Sequence, residues 1–425
     1  MKKTLLPAAR WGGETPVPGD KSISLRALLF GAISDGTTRV RGLSLSDSAL
    51  SMVSCLRMLG ARIRLDGDCA EIEGRGLGGL TESREPLDAG GSATTLRLLM
   101  GALAGHRFTS ILTGDAWLRR RPMERVAVPL RRMGAEVHLT PSGGAPVRVR
   151  GGMLKGVECM LPVASAQLKS AVLLAGLHAE GRTTVAEPMA SRDHTERLLR
   201  HFGCPVYVVD DRITVQGGAP LRGAELAVPG DVSSAAFWVA AALLVPGASV
   251  ALQGVLLNET RLGFIRVLRR MGADIELERE GEEPEPVGRL RAGHSMLKGV
   301  EVSPEEVPSM IDELPLLAVL AAAAAGETVV RGAAELRFKE SDRIAGTAEL
   351  LSAMGCRMET SEDGFRVFGP QRLRGGVVDP RGDHRIAMAA SIAALAAERE
   401  TVVQDAQIVS ASYPDFFETL ERLRA

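Results

Sequence analysis

Charged and polar side chains recur at the starts of near-apolar segments in this 425-residue chain. The residues at six such starts are Lys21, Ser22 and Arg26; Ala93 and Arg97; Ser165, Ala166 and Gln167; Asp231; Asp312; and Arg385. A second set, at the starts of amphipathic segments, is Arg121, Arg192, Lys339, Glu340 and Arg343. Helix starts present N–H groups and a positive dipole end to anions, and arginine binds phosphate and carboxylate in pairs of hydrogen bonds. The pattern therefore predicts a cleft for small polyanions.

Two carboxylates, Asp312 and Glu340, lie among these cations. A carboxylate so placed can act as a general base or a general acid. Each position also has a purely structural interpretation, because Ser, Asp and Asn are common helix N-caps and most basic residues are solvated. What favours function is that basic residues enter near-apolar helices repeatedly, at equivalent positions.

These helix starts belong to an internal repeat, L-x-x-(M/F/L)-G-(A/C). Its five glycines are Gly60, Gly134, Gly203, Gly272 and Gly355, and the phrase LERLRA at residues 420–425 is a truncated sixth copy. Each glycine is interpreted as a helix C-cap that precedes a strand such as ARIRL or AEVHL.

Each copy also has an earlier helix that is apolar on nearly all sides and must be buried, as in ATTLRLLMGALAG and LPLLAVLAAAAAG. Its partner helix is amphipathic, and the strands alternate polar and apolar residues, so each sheet has one wet face. The sequence thus predicts an α/β fold: a two-domain inside-out alpha-beta barrel of six repeated helix-sheet units, three per domain, with buried helices and outer sheets. The predicted domains are residues 21–227 and residues 1–20 plus 228–425.

Composition narrows the functional classes. The net charge is −1, so nothing indicates a nucleic-acid or membrane partner. The five cysteines form no C-x-x-C pair, the N-terminus has no apolar signal region, and the apolar run from Leu314 to Ala325 is too short to span a bilayer. We therefore expect a cytoplasmic protein. The acidic stretch from Glu278 to Gly288 is expected to be a solvated loop.

Several phrases together resemble the EPSP synthase (5-enolpyruvylshikimate-3-phosphate synthase) family of enolpyruvyl transferases. They are GDKSISLRALL, LTGDAWLRRRPM, VASAQLKSAVLLAGL, SRDHTERLLRHFG, LRFKESDRIAG and GDHRIAMAASIAAL, and the resemblance covers essentially the whole chain. It implies two domains, each of three helix-sheet units around a pseudo-threefold axis. It also implies transfer of the enolpyruvyl group of phosphoenolpyruvate to the 5-hydroxyl of shikimate 3-phosphate, with release of phosphate, in aromatic amino acid biosynthesis. No cofactor or metal is implied, and we expect a monomer.

The resemblance also implies roles for individual residues. The residues that would hold shikimate 3-phosphate are Lys21, Ser22, Arg26, Ser165, Ala166, Gln167, Arg192, Asp312 and Lys339. The residues that would hold phosphoenolpyruvate are Lys21, Ala93, Arg121, Gln167, Arg343 and Arg385. Asp312 would take the 5-hydroxyl proton, and Lys21 or Glu340 would help protonate the methylene carbon; the sequence does not divide that last role.

The chain departs from the family pattern at three positions. Gly91 and Ala93 replace the usual Asn and Gly, and the phrase from Ser410 to Pro414 lacks the lysine that many members carry. Members with Ala at the Ala93 position tend to resist glyphosate, which occupies the phosphoenolpyruvate site. We therefore expect weakened glyphosate binding.

The sequence disfavours three alternative functions. The sister enolpyruvyl transferase that acts on a UDP-sugar opens with Lys-Asn and usually has a reactive loop cysteine, whereas this chain has Lys21-Ser22 and no cysteine in residues 112–122. A non-catalytic binding protein on the same scaffold is disfavoured because Lys21, Asp312 and Glu340 are all present. A nucleotide-binding enzyme is disfavoured because no Gly-rich loop ends in Gly-Lys-Ser/Thr.

Overall fold

The computed structural model describes residues 1–424, so the last residue of the LERLRA phrase, Ala425, lies outside the described residues. The chain forms two compact units, Gly19–Val228 and Met1–Pro18 together with Pro229–Ala425. We call the first the middle unit and the second the terminal unit. Each unit is described by itself.

Twelve α-helices occur in residues 1–424. They are α1 (Lys21–Ala32), α2 (Asp47–Met58), α3 (Ala93–Leu103), α4 (Glu124–Met133), α5 (Ala166–Leu177), α6 (His194–His201), α7 (Val232–Leu244), α8 (Gly263–Arg270), α9 (Leu314–Ala323), α10 (Arg343–Ala353), α11 (His384–Leu395) and α12 (Phe416–Arg422). Short 3-10 turns precede two of the predicted site segments, at Leu118–Arg120 and Ala334–Phe338, and a third, Ile311–Glu313, includes Asp312.

The strands are short, mostly of two to five residues. They are β1 (Lys3–Leu5), β2 (Gly12–Thr15), β3 (Thr37–Arg41), β4 (Arg62–Asp66), β5 (Cys69–Glu73), β6 (Leu87–Asp88), β7 (Thr109–Thr113), β8 (Glu136–His138), β9 (Val147–Arg150), β10 (Leu154–Lys155), β11 (Glu158–Met160), β12 (Ala179–Glu180), β13 (Arg182–Ala186), β14 (Val206–Val209), β15 (Arg212–Gln216), β16 (Glu225–Ala227), β17 (Ser249–Leu256), β18 (Asp274–Gly281), β19 (Val287–Gly293), β20 (Glu301–Val302), β21 (Gly326–Val330), β22 (Glu359–Ser361), β23 (Gly364–Gly369), β24 (Val377–Val378) and β25 (Thr401–Val403).

The sheets repeat one topology. In each four-stranded sheet, one parallel pair is followed by two antiparallel pairings. The middle unit has the orders β16-β3-β5-β4, β6-β7-β9-β8 and β11-β13-β15-β14, with a further β10-β12 pair, and the terminal unit has β2-β17-β19-β18 and β20-β21-β23-β22. The three-stranded sheet β24-β25-β1 starts with the same parallel pair. The N-terminal strands β1 and β2 thus belong to the terminal unit.

The helices expected to be buried form the cores. In the middle unit α1, α3 and α5 pack together, and in the terminal unit α7, α9 and α11 do so. From Ile23 to Ala32 every residue of α1 is buried, and so is every residue of α7 and α11. Among the strands, β3, β8 and β9 alternate buried and exposed residues, as expected for sheets with one wet face. An added Cβ at Gly101 would collide with the backbone of Ala171, so glycine permits the close approach of α3 to α5.

The repeated glycines terminate their helices, as predicted: Gly134 is the C-cap of α4, and each of the other four directly follows the C-cap residue of its helix. All five have positive φ, between 79° and 112°. After each glycine, the next residue donates its N–H to the carbonyl five positions back, as in Ala61 to Leu56 at 3.0 Å and Cys204 to Leu199 at 2.8 Å. The cap turns the chain sharply toward the following strand.

Within residues 1–424, none of the helices combines the length and the apolar character that a membrane-spanning helix needs.

Candidate functional site

In the middle unit, three buried helices begin with the predicted substrate residues. The N-caps of α1, α3 and α5 are Asp20, Ser92 and Ser165, and each side chain accepts a hydrogen bond from a backbone N–H of the first turn. These residues therefore act as the N-caps that the structural interpretation also expected. Lys21, Ser22, Ala166 and Gln167, which follow two of these caps, are half-buried, so part of each side chain remains accessible, whereas Ala93 is buried.

Gln167 is fixed by two residues of α3. Arg97 Nη1 donates to Gln167 Oε1 at 2.5 Å, and Gln167 Nε2 donates to Thr94 Oγ1 at 2.8 Å. Arg97 Nη2 also donates to the carbonyl of Pro122 at 3.0 Å, next to Arg121. One arginine thus links the start of α5 to the segment that carries Arg121. Sequence reasoning placed Arg97 in the cleft but did not foresee that it would bind Gln167.

Arg26 is almost fully buried, at 2% exposure. Its Nε donates to Thr195 Oγ1 at 2.7 Å, its Nη2 to Ser170 Oγ at 2.8 Å, and its Nη1 to the carbonyl of Ser22 at 2.9 Å. These bonds join α1 to α5 and α6. Arg192 lies in the loop before α6 and is half-buried. The structure therefore gives Arg26 a scaffold role that the sequence alone did not indicate.

In the terminal unit, four of the predicted residues form one ion cluster around Arg343. Its Nη1 lies 3.0 Å from Asp312 Oδ1 and its Nη2 lies 2.6 Å from Glu340 Oε2. Lys339 Nζ lies 3.4 Å from the same oxygen of Asp312. The side chains of Asp312, Lys339 and Glu340 are 16%, 21% and 26% exposed, whereas that of Arg343 is 1% exposed.

A third carboxylate, Asp383, binds Arg343 on the buried side of this cluster. It is fully buried and lies 2.8 Å from Arg343 Nε, and it also accepts from Ser341 Oγ at 3.1 Å. As the N-cap of α11 it accepts the backbone N–H of Arg385 at 2.9 Å. Asp383 therefore fixes Arg343 and the start of the helix that carries Arg385. From the sequence, Asp383 is recognisable only as the residue that opens a helix. Its contacts with Ser341, Arg343 and Arg385 depend on the folding of distant segments, which no local pattern displays.

The three carboxylates around Arg343 stabilise its charged guanidinium. Burial alone would lower the pKa of Arg343, but Asp383, Glu340 and Asp312 outweigh it and hold that pKa above its ordinary value. Arg385 lies 3.6 Å from Glu313, and both are buried. The unit thus presents partly exposed carboxylates and a lysine above a fixed cation. This arrangement can accept a proton from a bound hydroxyl and hold an anion beside it.

Each unit thus brings part of the predicted set together. In the terminal unit Asp312, Lys339, Glu340 and Arg343 are in direct contact, and Arg385 is tied to them through Asp383. In the middle unit the residues of α1, α3 and α5 stand at the starts of helices that share one core.

Comparison with known proteins identifies the family. A sequence model described as EPSP synthase (3-phosphoshikimate 1-carboxyvinyltransferase) matches residues 7–420. A 3-phosphoshikimate 1-carboxyvinyltransferase from Synechococcus sp. (strain JA-3-3Ab) is 50% identical over 427 residues, covering 99% of this chain and 96% of that protein. The structure of EPSP synthase from Acinetobacter baumannii is similar with a TM-score of 0.87 and 42% identity, covering 99% of this chain and 98% of that one.

A more distant structure shares the fold alone. The enolpyruvyl transferase NikO from Streptomyces tendae has a TM-score of 0.80 at 20% identity, covering 99% of this chain and 96% of that one. The predicted mixed α/β fold is confirmed by these structures. The family resemblance is likewise confirmed. The chain belongs to the EPSP synthase family.

Proposed function

We propose that Asp312, Lys21 and Glu340 carry the proton transfers of the reaction that this family is named for. The chain is an enzyme of the shikimate pathway, a 3-phosphoshikimate 1-carboxyvinyltransferase, and its substrates are phosphoenolpyruvate and shikimate 3-phosphate. The enolpyruvyl group passes to the 5-hydroxyl of shikimate 3-phosphate, and phosphate is released. The observation that carries the residue assignment is the cluster of Asp312, Glu340 and Arg343 in the terminal unit.

Asp312 takes the proton of the 5-hydroxyl. Its carboxylate is partly exposed and is held by Arg343 at 3.0 Å and Lys339 at 3.4 Å. Two cations keep the side chain in one orientation, and a fixed base reacts faster than one that must be ordered first. Protonation of the methylene carbon belongs to Lys21 or to Glu340, which lies 2.6 Å from Arg343.

The remaining residues hold the two anionic substrates. Shikimate 3-phosphate is bound by Lys21, Ser22, Arg26, Ser165, Ala166, Gln167, Arg192, Asp312 and Lys339. Phosphoenolpyruvate is bound by Lys21, Ala93, Arg121, Gln167, Arg343 and Arg385. The reaction is an addition followed by an elimination through a tetrahedral intermediate. Fixed arginine and lysine charges stabilise the anionic groups of that intermediate without reorganising during the reaction.

The finer architecture is also part of the proposal. Each unit is a domain of three helix-sheet copies arranged as an inside-out barrel, with residues 21–227 in one domain and residues 1–20 plus 228–425 in the other. The recurring strand topology and the recurring glycine caps support this division into copies. We propose in addition a monomer in the cytoplasm, which light scattering and cell fractionation would check.

The direct test is phosphate release from purified protein. We expect release only when phosphoenolpyruvate and shikimate 3-phosphate are both present, and a near-complete loss in Asp312→Ala. Absence of release from the wild-type protein would refute the activity. Release from Asp312→Ala at the wild-type rate would refute the role of Asp312 and leave the activity standing.

Glyphosate binding is expected to be weakened by Ala93. This residue is the first of α3 and is 3% exposed, so its methyl group occupies space at the helix start that a glycine would leave open. We expect Ala93→Gly to increase competitive inhibition by glyphosate against phosphoenolpyruvate. Tight inhibition of the wild type that is unchanged in Ala93→Gly would contradict this.

A further inference from the structure

The middle unit contains a second buried ion cluster, to which the proposed mechanism gives no role. Lys169 is 1% exposed, and its Nζ lies 2.7 Å from Glu187 Oε2 and 2.7 Å from Glu196 Oε1. Both glutamates are themselves buried, at 4% and 3% exposure. We call Lys169, Glu187 and Glu196 the Lys169 cluster.

The cluster joins three consecutive pieces of the chain. Lys169 lies in the first turn of α5, two residues after Gln167, while Glu187 directly follows β13 and Glu196 lies in the first turn of α6. Between Glu187 and α6, residues 187–193 have no helix or strand, so no ladder of backbone hydrogen bonds orders them. This segment is the one that carries Arg192.

Glu187 also holds the segment directly. Its Oε1 accepts the hydroxyl of Ser191, and its Oε2 accepts the backbone N–H of Ser191 at 3.4 Å. Ser191 is buried and immediately precedes Arg192. A change in the position of Glu187 is therefore passed through one residue to the backbone of Arg192.

A second contact lies beside the first. Ser170 follows Lys169 on α5, Thr195 precedes Glu196 on α6, and their hydroxyls lie 2.6 Å apart. Arg26 donates to both hydroxyls, at 2.8 Å and 2.7 Å. The ion cluster and this hydroxyl pair together connect α1, α5 and α6, which carry or flank the residues assigned to shikimate 3-phosphate.

Burial and ion pairing act in opposite senses on the cluster: burial raises the pKa of Glu196, and Lys169 opposes that rise. Burial acts to lower the pKa of Lys169, but the two carboxylates outweigh it and raise that pKa above its ordinary value. A buried ion pair adds little net stability compared with apolar groups of the same volume, because desolvation offsets the attraction. What such a cluster does provide is a defined geometry with several directional bonds.

We propose that the Lys169 cluster is a positioning device for shikimate 3-phosphate, which orders the Ser191–Arg192 segment against α5 before the substrate binds. Lys169, Glu187 and Ser191 are positioning residues: they act through Arg192 and through the start of α5. This inference rests on the proposed function, since it assumes that Arg192 and Gln167 bind that substrate.

Ser191→Ala is the informative variant, because it removes one hydroxyl and leaves all three ions in place. We expect its KM for shikimate 3-phosphate to rise about tenfold, since the lost hydrogen bond involves a charged acceptor. The KM for phosphoenolpyruvate and kcat should each change less than about twofold. Ser191→Thr retains a hydroxyl and should restore most of the affinity.

Two further variants complete the design. The matched control is Thr184→Val, which removes a hydroxyl on β13, the strand that ends just before Glu187. The Oγ1 atoms of Thr184 and Thr214 lie 2.9 Å apart, away from the Lys169 cluster's own hydrogen bonds. We expect the KM of Thr184→Val for shikimate 3-phosphate to equal that of the wild type. The triple variant Lys169→Met/Glu187→Gln/Glu196→Gln removes the ions without leaving a single buried charge. It should raise the KM for shikimate 3-phosphate at least as much as Ser191→Ala does.

Calorimetric titration with shikimate 3-phosphate alone measures the dissociation constant of this substrate in the absence of the reaction. A loss of affinity in Ser191→Ala, with rescue in Ser191→Thr, supports the proposal. A dissociation constant and KM equal to those of the wild type in Ser191→Ala overturn it, even if the melting temperature falls. If the wild type neither binds shikimate 3-phosphate nor releases phosphate, the proposed function itself fails, which is a distinct result.

Discussion

The two units each bury a basic side chain among carboxylates, but they expose those carboxylates to different degrees. In the middle unit, Lys169 and both of its glutamate partners are nearly inaccessible. In the terminal unit, Arg343 is buried against the inaccessible Asp383, while its other partners, Asp312 and Glu340, are 16% and 26% exposed. We call the Lys169 cluster closed, because all of its charged groups are buried. The cluster around Arg343 is graded: Arg343 and Asp383 are buried, and Asp312 and Glu340 form an accessible rim.

The difference shows how similar ion clusters can serve different purposes. A closed cluster can only fix the backbone around it, because no substrate reaches its charges. A graded cluster uses its buried half to hold the arginine, so that carboxylates at its rim keep a fixed orientation and can still exchange protons. In these two clusters, the exposure of the carboxylates therefore separates the proposed positioning role from the proposed proton-transfer role.

The largest effect is expected for Asp312→Asn at the rim. Asparagine keeps an oxygen that can accept from Arg343 and Lys339, but it cannot take up a proton at neutral pH. We expect kcat to fall about 10²- to 10⁴-fold, with a melting temperature close to that of the wild type. Phosphate-release kinetics and thermal unfolding check the two parts. A kcat within a factor of two of the wild type would show that the rim carboxylate is not the base.

The next effect is expected for Lys169→Met in the closed cluster. Two buried glutamates would lose their counter-ion, so the free energy of unfolding should fall by about 3–5 kcal/mol. The triple variant with both glutamates changed to Gln should recover much of this loss, because no uncompensated charge remains. Urea denaturation of the wild type, Lys169→Met and the triple variant measures these free energies of unfolding. Equal stability of Lys169→Met and the wild type would show that the Lys169 cluster is not closed to solvent.

A smaller effect concerns pH and is confined to the middle unit. His106 and His178 lie with ring centroids 5.0 Å apart. Burial, with a contribution from His106, lowers the pKa of His178 to about 3, and burial also lowers that of His106. The unfolded chain takes up protons below about pH 6.5 while the folded His178 does not, so stability is lost as the pH falls from 6.5 toward 3.

The slope for each histidine is at most about 1.4 kcal/mol per pH unit. Between pH 7.5 and pH 5.5 we therefore expect His178 to account for about 1.4 kcal/mol of lost stability. Denaturation at both pH values, in the wild type and in His178→Gln, measures this contribution. An identical pH dependence in the two proteins would contradict it.

The smallest effect is expected for Glu349→Gln, which serves as the matched control for the rim carboxylates. Glu349 lies on α10, the helix that begins with Arg343, and pairs with Arg381 at 2.8 Å while both are about half exposed. Solvent screens such a pair, so its loss should cost no more than about 1 kcal/mol. Phosphate release should be unchanged, and a substantial fall in kcat would mean that carboxylate loss on this helix acts indirectly.

Much of the scaffold could be predicted from local patterns. The buried helices follow from apolar residues on all their faces, and the C-caps follow from glycines that recur after the same phrase. Both depend on neighbours within a few residues, which the sequence displays directly. The stretch from Glu278 to Gly288 was predicted as a solvated loop, and this is right only for its middle: residues 282–286 connect β18 to β19, while residues 278–281 and 287–288 lie in those strands. Glu285 in the connection is 3% exposed, not solvated, and accepts from Asn258 Nδ2 at 2.8 Å.

The sequence predicted which residues belong to the candidate site, but not the hydrogen bonds and ion pairs that join them. Sequence patterns and the family resemblance gave the cations at the helix starts and the carboxylates Asp312 and Glu340. The contact of Arg97 with Gln167 and the role of Asp383 join residues that are at least 40 positions apart in the chain. Lys169 lies within the phrase VASAQLKSAVLLAGL, where no local pattern indicates its partners Glu187 and Glu196.

By itself, the sequence indicated the helical cores through short-range periodicity, and its phrases carried a resemblance to the EPSP synthase family that implied the reaction. Tertiary structure alone decided which charges are closed off and which stay accessible. Burial depends on how distant helices pack, and the cost of desolvating a charge makes that packing decide its role. The same pairing of a cation with carboxylates is therefore a brace around Lys169 and an accessible rim around Arg343.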